Sequence, residues 1–149
     1  MGPTVVNVLL AIGAGICLTL LASANGSVRR NLNDPWYPAF FSVCGTIVTA
    51  VTLMLLFRPT PPPAEVIRST PWWNWIGGPL GALIVLAGAV LTPRLGAGVF
   101  LSAMVGGMLL SSMLLDHHGW MGLDVRAITP GRVVGAVLVV SGVACIKLL

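Results

Sequence analysis

Charged side chains are scarce in this sequence. Only 8% of its 149 residues are Asp, Glu, Lys or Arg, whereas a typical soluble domain has about 25%. Four residues are acidic, and none of them falls in the long apolar runs described below. The chain therefore lacks paired carboxylates for acid–base catalysis, and it has no serine in a G-x-S-x-G nucleophile motif. We expect a protein that is neither soluble nor an enzyme.

Cysteines are equally few. Cys17, Cys44 and Cys145 each fall inside an apolar run, where a thiol behaves as a small hydrophobic group. They predict neither disulfide bonds nor a metal site, and nothing else in the sequence indicates a cofactor. The isoelectric point of about 9.6 does not indicate a nucleic-acid partner, because the chain has no basic soluble segment to bind one.

Apolar residues dominate instead, at 56% of the chain and a mean hydropathy of +0.96. A helix crosses a bilayer core with roughly 20 apolar residues. The runs do not alternate apolar and polar residues as barrel strands do. We predict an all-α integral membrane protein, with residues 1–149 forming a single five-span domain. The spans extend from Val5 to Ala24, from Trp36 to Phe57, from Trp72 to Leu91, from Leu95 to Leu115 and from Arg132 to Leu149.

Two connections between the spans carry local predictions. Asn25 and Gly26 tolerate left-handed backbone angles, so they predict a turn that ends the first span. Only Thr92, Pro93 and Arg94 separate the third span from the fourth. Such a short connection predicts an antiparallel helical hairpin.

Lysine and arginine are shared evenly between the two sides of a five-span chain. The excess of these residues in cytoplasmic loops normally fixes orientation, so an even count predicts insertion in both orientations and an antiparallel homodimer. Such a dimer has the inverted symmetry on which many alternating-access transporters are built. The alternatives are an oppositely oriented paralogue, or one loop that the insertion machinery weights more heavily. One side receives Arg29, Arg30, Arg94 and Lys147, and the other Arg58, Arg68, Arg126 and Arg132.

Small residues form ridges on the fourth span. Gly98, Ser102 and Gly106 recur every four residues, and Gly107 belongs to a second ridge beside them. Small side chains allow close helix contact in lipid. These four residues are our candidates for the dimer contact, and packing within one chain is the alternative.

The segment DHHG, residues 116–119, places an acid and two histidines at the end of the fourth span. Adjacent histidines on a helix point about 100° apart, so His117 and His118 do not converge on a metal ion. Two interpretations stay open for Asp116. It is either a proton-coupling group together with His117, or an anchor for the following connection through hydrogen bonds to backbone N–H groups.

Several segments in a fixed order resemble a known family. They are ANGSVRRNLNDPW, FSVCGT, PWWNWIGGPLGA, TPRLGAG and LLDHHGWMG. Their order is similar to that of the YdcZ-like inner membrane exporters, a five-span family within the drug/metabolite transporter superfamily. The resemblance implies a bacterial inner membrane protein related to the small multidrug-resistance exporters. It also implies an antiparallel pair, formed with a second copy or with a paralogue.

The resemblance and the polar residues together suggest a set of site residues. Our candidates for solute contact or coupling are Asn25, Ser42, Thr46, Trp73, Trp75, Ser111, Asp116 and His117. The first span lacks the glutamate that the small multidrug-resistance exporters use for cationic drugs, and it also lacks the glutamine common in the YdcZ-like family. We therefore expect a small neutral or anionic solute, with membrane lipids as further partners. The alternative function is a non-transporting assembly subunit or a phospholipid-handling protein.

Overall fold

The computed structural model describes residues 3–148 and is helical throughout this part of the chain, apart from short connections. Five helices within it are long and apolar enough to cross a membrane, as the sequence predicts. The helices are α1 (Pro3–Leu32), α2 (Trp36–Phe57), α3 (Ala64–Ser69), α4 (Gly77–Leu95), α5 (Ala97–His118) and α6 (Pro130–Leu148), with 3₁₀ turns at Trp72–Trp75 and Trp120–Gly122.

The first helix is longer than the sequence predicts. It passes through Asn25 and Gly26 and ends at Leu32, so the prediction of a turn at these two residues is wrong. The chain turns instead at Asn33, which has a φ of 52°. The carboxylate of Asp34 then accepts a hydrogen bond of 2.7 Å from the backbone N–H of Trp36. This bond satisfies one of the free donors at the start of α2.

The segment after α2 has a sequence that cannot extend the helix. Arg58 adopts a left-handed conformation with a φ of 43°, and Pro59 follows it. A left-handed residue followed by proline is a common way to end a helix. Residues 58–63 are non-helical and exposed, and they lead into the short α3 and the tryptophan turn Trp72–Trp75.

The break between the third and fourth spans lies at Gly96. We predicted it at residues 92–94, but α4 continues through all three of these residues and includes Pro93. A proline removes one hydrogen bond from a helix and does not have to end it. Gly96 has a φ of 84°, a backbone angle that residues with a Cβ atom rarely adopt. Helix α5 begins directly after it.

The chain divides after Arg94 into two units. In the first unit, α1 packs against α2, and residues near the C-terminal end of α1 also contact the end of α4. In the second unit, α5 packs against α6 along much of its length. Gly106 of α5 is buried there. A Cβ atom added at this position would be 3.9 Å from the Cγ2 atom of Val143.

Most large apolar side chains are exposed in the isolated chain. Leu55, Leu56 and Phe57 at the end of α2, for example, are 70%, 71% and 74% exposed. A soluble protein would bury such residues. In a bilayer these surfaces contact lipid or a partner, so the exposure agrees with the membrane assignment.

Candidate functional site

The first polar cluster joins three helices of the first unit near the end of α1. Asn25 is buried, at 7% exposure, and its Nδ2 atom donates a hydrogen bond of 3.3 Å to the hydroxyl of Ser42 on α2. This bond explains why α1 continues through an asparagine, because the amide finds its partner on another helix rather than in its own backbone. Two sequence-predicted site residues are therefore brought together.

Arg29 lies one helical turn after Asn25 and reaches α4. Its NH1 atom donates a hydrogen bond of 2.7 Å to the carbonyl oxygen of Val90. Val90 is in the turn before Pro93, whose missing N–H leaves the carbonyl of the neighbouring Ala89 without its helix bond. From the sequence, Arg29 counts only as a charge on one side of the membrane, whereas in the structure it binds the end of α4.

Gly26 lies between these two side chains and permits the close approach of α1 to α4. A Cβ atom at this position would be 3.3 Å from Cδ and Cγ of Pro93 and 3.3 Å from Cβ of Thr92. Thr92 is itself 8% exposed, and its Oγ1 atom has no hydrogen-bond partner within residues 3–148. Gly26 and Pro93 thus set the spacing of the two helices at this end of the unit.

A groove of about 460 Å³ runs between α1 and α2 beside this cluster. Ser42 and Thr46 line it together with Leu21 and Leu53. The Thr46 hydroxyl donates to the carbonyl of Ser42 at 3.0 Å, within its own helix. Hydroxyls bonded in this way still accept a hydrogen bond from a further donor, so the groove offers weak polar contacts on an apolar surface.

The second polar cluster lies in the second unit, where α5 ends and α6 begins. One carboxylate oxygen of Asp116 is 3.5 Å from NH1 of Arg132, and the two side chains are 30% and 34% exposed. The backbone carbonyl of Asp116 also accepts a hydrogen bond of 2.8 Å from the N–H of Arg126. Asp116 therefore anchors the connection, although through its carbonyl and through an arginine rather than through N–H groups of the HHGW turn.

The Asp116–Arg132 pair stands at one end of a second groove, of about 330 Å³, between α5 and α6. We call it the α5–α6 groove. Its lining residues are Leu109, Ser112, Met113, Asp116, Arg132, Gly135, Ala136 and Val139. One end of the groove is charged and the remainder is largely apolar.

The histidines of the DHHG segment do not build a metal site. Their rings meet edge to face, 5.0 Å apart, and the ring of His118 stacks on Trp120 at 4.6 Å. The Nδ1 atom of His118 is 3.0 Å from the carbonyl oxygen of Leu114. Within residues 3–148 no group of three or more His, Cys, Asp or Glu side chains is placed to hold a metal ion.

The tryptophan candidates lie far from the Asn25 cluster. Trp73 and Trp75 belong to the turn before α4, whereas the cluster contacts Thr92 near the other end of that helix. At 1.5 Å per residue the distance along α4 is about 25 Å. Trp75 is 60% exposed, as expected for a residue at the membrane interface.

The remaining candidates lie on α5. The Ser111 hydroxyl bonds to the carbonyls of Gly107 and Met108 in its own helix, and Ser112 lines the groove in its place. Gly98 and Gly107 are exposed, with open space around an added Cβ atom. Ser102 is half-buried in a shallow depression next to Val143, and Gly106 is buried within its own chain.

Two residues of these clusters were missed at the sequence level. Arg132 opens the last predicted span and was counted only as a charge on one side of the membrane, although it follows Asp116 by 16 residues and has the opposite sign. Val90 contributes a backbone carbonyl, which no side-chain pattern reveals.

These features define a class of protein, an integral membrane protein with five apolar helices and polar groups at the helix ends. Residues 6–145 match the family model described as "Putative inner membrane exporter, YdcZ". The chain belongs to this family, and the family resemblance read from the sequence is confirmed.

Inner membrane protein YdcZ of Escherichia coli (strain K12) is similar to this chain. The two are 32% identical over 78 residues, which are 52% of this chain and 52% of that protein. The match thus spans about half the length of the curated relative. No solved structure matches the chain. The family, the relative and the five apolar helices identify an inner membrane protein.

Proposed function

We propose that the chain is one subunit of a transporter that pairs with an oppositely oriented copy and moves a small neutral or anionic solute by alternating access. The exporter family to which the chain belongs supports a transporter and gives no indication of an enzyme. The observation that carries the proposal is the even distribution of lysine and arginine over the two ends of the helices.

Counting five spans assigns three helix C-termini with basic residues to one side. Arg29 and Arg30 are in the last turn of α1, Arg94 in that of α4, and Lys147 in that of α6. The hydrogen bond from Arg29 to Val90 supports the placement of the ends of α1 and α4 on one side. The other side receives the same number of basic residues, namely Arg58, Arg68, Arg126 and Arg132. With four on each side, neither orientation is favoured.

The polar groups of the helices favour a solute without a net positive charge. Asp116 is the one acidic residue in a membrane-spanning helix within residues 3–148, and it already faces Arg132. A permanent cation would therefore find no free counter-charge in a span. The other polar candidates, Asn25, Ser42 and Thr46, are neutral hydrogen-bonding groups.

Small residues on α5 support a contact with the second copy. Gly98 and Gly107 have open space beside them, so another helix can approach them closely. We assign the dimer contact to the ridge that contains Gly107. Gly98 precedes Gly107 by nine residues and therefore lies on the opposite side of α5, and Ser102 and Gly106 lie on the side that packs against α6. A paralogue of opposite orientation would use the same surface.

The orientation is tested with reporter proteins fused after Leu149, one active only in the cytoplasm and one only in the periplasm. We expect activity from both. Arg30→Gln and Arg68→Gln remove one exposed charge from opposite sides, so they should shift the ratio of the two activities in opposite directions. Activity on one side only, unchanged by either substitution, contradicts the homodimer.

Transport itself is tested by solute flux in proteoliposomes. The second candidate function, an assembly subunit or a phospholipid-handling protein, is favoured by the extensive exposed apolar surface of the helices. It predicts no solute flux but a measurable exchange of labelled lipid between leaflets, or co-purification with another membrane protein. Saturable flux of a small solute contradicts that alternative.

A further inference from the structure

The α5–α6 groove carries two opposite charges at one end. Asp116 lies in the last turn of α5 and Arg132 in the first turn of α6, so the pair is at the end of the two spans. Both side chains are only about one-third exposed. A partly buried ionisable group at a membrane span tends to face a polar partner or a route for a solute.

The ion pair with Arg132 uses only part of the binding capacity of both groups. One oxygen and one nitrogen are joined, and their distance of 3.5 Å is long. Ion pairs between arginine and a carboxylate are frequently bidentate, with distances of about 2.7–2.9 Å. A guanidinium has five N–H donors and a carboxylate has about four acceptor positions. Both side chains are about one-third exposed, at 34% and 30%, so each has room for a second partner.

The apolar part of the groove extends away from this pair. Leu109 lies seven residues before Asp116 on α5, and Val139 lies seven residues after Arg132 on α6. Seven residues of helix span about 10 Å. The groove volume of about 330 Å³ is at the lower end of the range for small-molecule sites.

We propose that the α5–α6 groove binds a zwitterionic amphiphile. An ammonium group contacts Asp116, a carboxylate or phosphate contacts Arg132, and an apolar body extends along Leu109, Met113 and Val139. A single cation or anion would bind one of the two residues and leave the other without its partner. A zwitterion replaces both partners at once, and it keeps the net charge of the solute at zero. This inference rests on the proposed function only in taking the bound molecule as the transported solute.

Two sources supply this chemistry, an apolar amino acid and the headgroup of a zwitterionic lipid. The probes are L-leucine, with isoamylamine and 4-methylpentanoate as its two half-molecules, and lysophosphatidylethanolamine, with lysophosphatidylglycerol as its counterpart without an ammonium. The measurement is the unfolding temperature of the full chain in detergent micelles, followed by tryptophan fluorescence. A ligand that binds only the folded state raises this temperature.

We expect L-leucine or lysophosphatidylethanolamine to raise the unfolding temperature, and the half-molecules and lysophosphatidylglycerol to leave it unchanged. A rise with L-leucine identifies an amino acid, and a rise with the lipid alone identifies a headgroup. No rise with either, or an equal rise with isoamylamine or with 4-methylpentanoate, overturns the inference.

Variants separate binding from packing. Asp116→Asn and Arg132→Gln each remove one charged contact and should raise Kd at least about tenfold. Asp124→Asn and Arg126→Gln remove the same charges from exposed positions in the connection and should leave Kd unchanged. If all four variants bind as tightly as the parent, the pair serves packing only and the inference is wrong.

A charge exchange covers the case in which the single variants fail to fold. Asp116→Arg combined with Arg132→Asp keeps the attraction but reverses the order of the charges relative to the groove. We expect the unfolding temperature to recover and the ligand-induced rise to stay absent. An undiminished rise in this variant contradicts the proposed contacts.

The outcome is independent of the transport assay. Binding of the zwitterion without flux contradicts the proposed function and leaves this inference standing. Flux of a solute that carries no ammonium, with no stabilisation by either zwitterion, contradicts this inference and leaves the proposed function standing.

Discussion

In the first unit, the polar contacts between helices have neutral acceptors and involve a buried amide and a part-buried guanidinium, whereas in the second unit the polar contact is a long ion pair that is about one-third exposed. The amide of Asn25 and the guanidinium of Arg29 bind a hydroxyl and a carbonyl. Asp116 and Arg132 bind each other at a long distance. Buried hydrogen bonds are costly to lose, and exposed ion pairs are not. Substitutions at the polar residues of the first unit should therefore lower the free energy of unfolding more than substitutions at those of the second unit.

The largest effect should come from Gly26 in the first unit. The substitution Gly26→Leu inserts a side chain where even a Cβ would be 3.3 Å from Thr92 and Pro93. Overpacking of this kind costs about 1–3 kcal/mol and occasionally more. We expect a loss of about 3 kcal/mol in the free energy of unfolding, measured by SDS titration in mixed micelles.

The matched control for this substitution is Gly15→Leu on the same helix, where an added Cβ has nothing within 4 Å. The control should be neutral or slightly stabilising, because leucine has a higher helix propensity than glycine. Equal losses in the two variants would show that α1 does not depend on its close approach to α4.

The next effect concerns Arg29 and its neighbour Arg30. The substitution Arg29→Gln removes the bond to Val90 and should cost about 2 kcal/mol, as expected for a hydrogen bond to a charged group. Arg30 is exposed, and Arg30→Gln should change the free energy of unfolding by less than about 0.5 kcal/mol.

Both variants remove one positive charge from the same end of α1, so they should shift orientation equally in the reporter assay. This pair of variants therefore separates stability from topology. A large loss of stability in both variants, or in neither, would contradict the role of Arg29 in holding the end of α4.

A third effect tests the connection in the second unit. Gly119 has a φ of 62°, and an added Cβ would be 2.7 Å from Cγ2 of Val125. The substitution Gly119→Ala should cost about 1–2 kcal/mol from the left-handed backbone, with an additional cost from the contact. Adding Val125→Ala to the same chain should restore only the stability lost through the contact with Val125. Full recovery by Val125→Ala would show that the backbone angle carries no strain.

The number of helices and most of their positions could be predicted from the sequence, because the thickness of a bilayer fixes how many consecutive apolar residues a span requires. The ends of α1 and α4 could not. Asn25 and Gly26 have the local preferences of a turn, but Ser42 on another helix supplies the amide with a partner. Pro93 has the local preference of a break, yet α4 continues to Leu95 and the break between the helices lies at Gly96.

The residues of the candidate site could likewise be predicted only in part. Asn25, Ser42 and Asp116 were selected as polar residues in or next to apolar runs, and each takes part in a contact between helices. Arg132 as the partner of Asp116 and Val90 as the partner of Arg29 become apparent only when the ends of neighbouring helices are aligned. The hydroxyls of Thr46 and Ser111 were selected by the same criterion but bond to their own helices.

The smallest effect on stability should come from the ion pair of the second unit. Both side chains are about one-third exposed and their atoms are 3.5 Å apart, so the relevant magnitude is that of an exposed pair, about 0.2–1 kcal/mol. A fully buried pair would cost about 3–5 kcal/mol when one partner is removed. We expect Asp116→Asn to lower the free energy of unfolding by less than about 1 kcal/mol.

A double-mutant cycle of Asp116→Asn and Arg132→Gln isolates the interaction between the two side chains. A coupling energy below about 1 kcal/mol agrees with a weak pair that is free to accept a ligand. A coupling energy of about 3 kcal/mol or more would make the pair as important to its unit as Arg29 is to the first. The contrast between the two units would then disappear, because both would depend on a charged group held between helix ends.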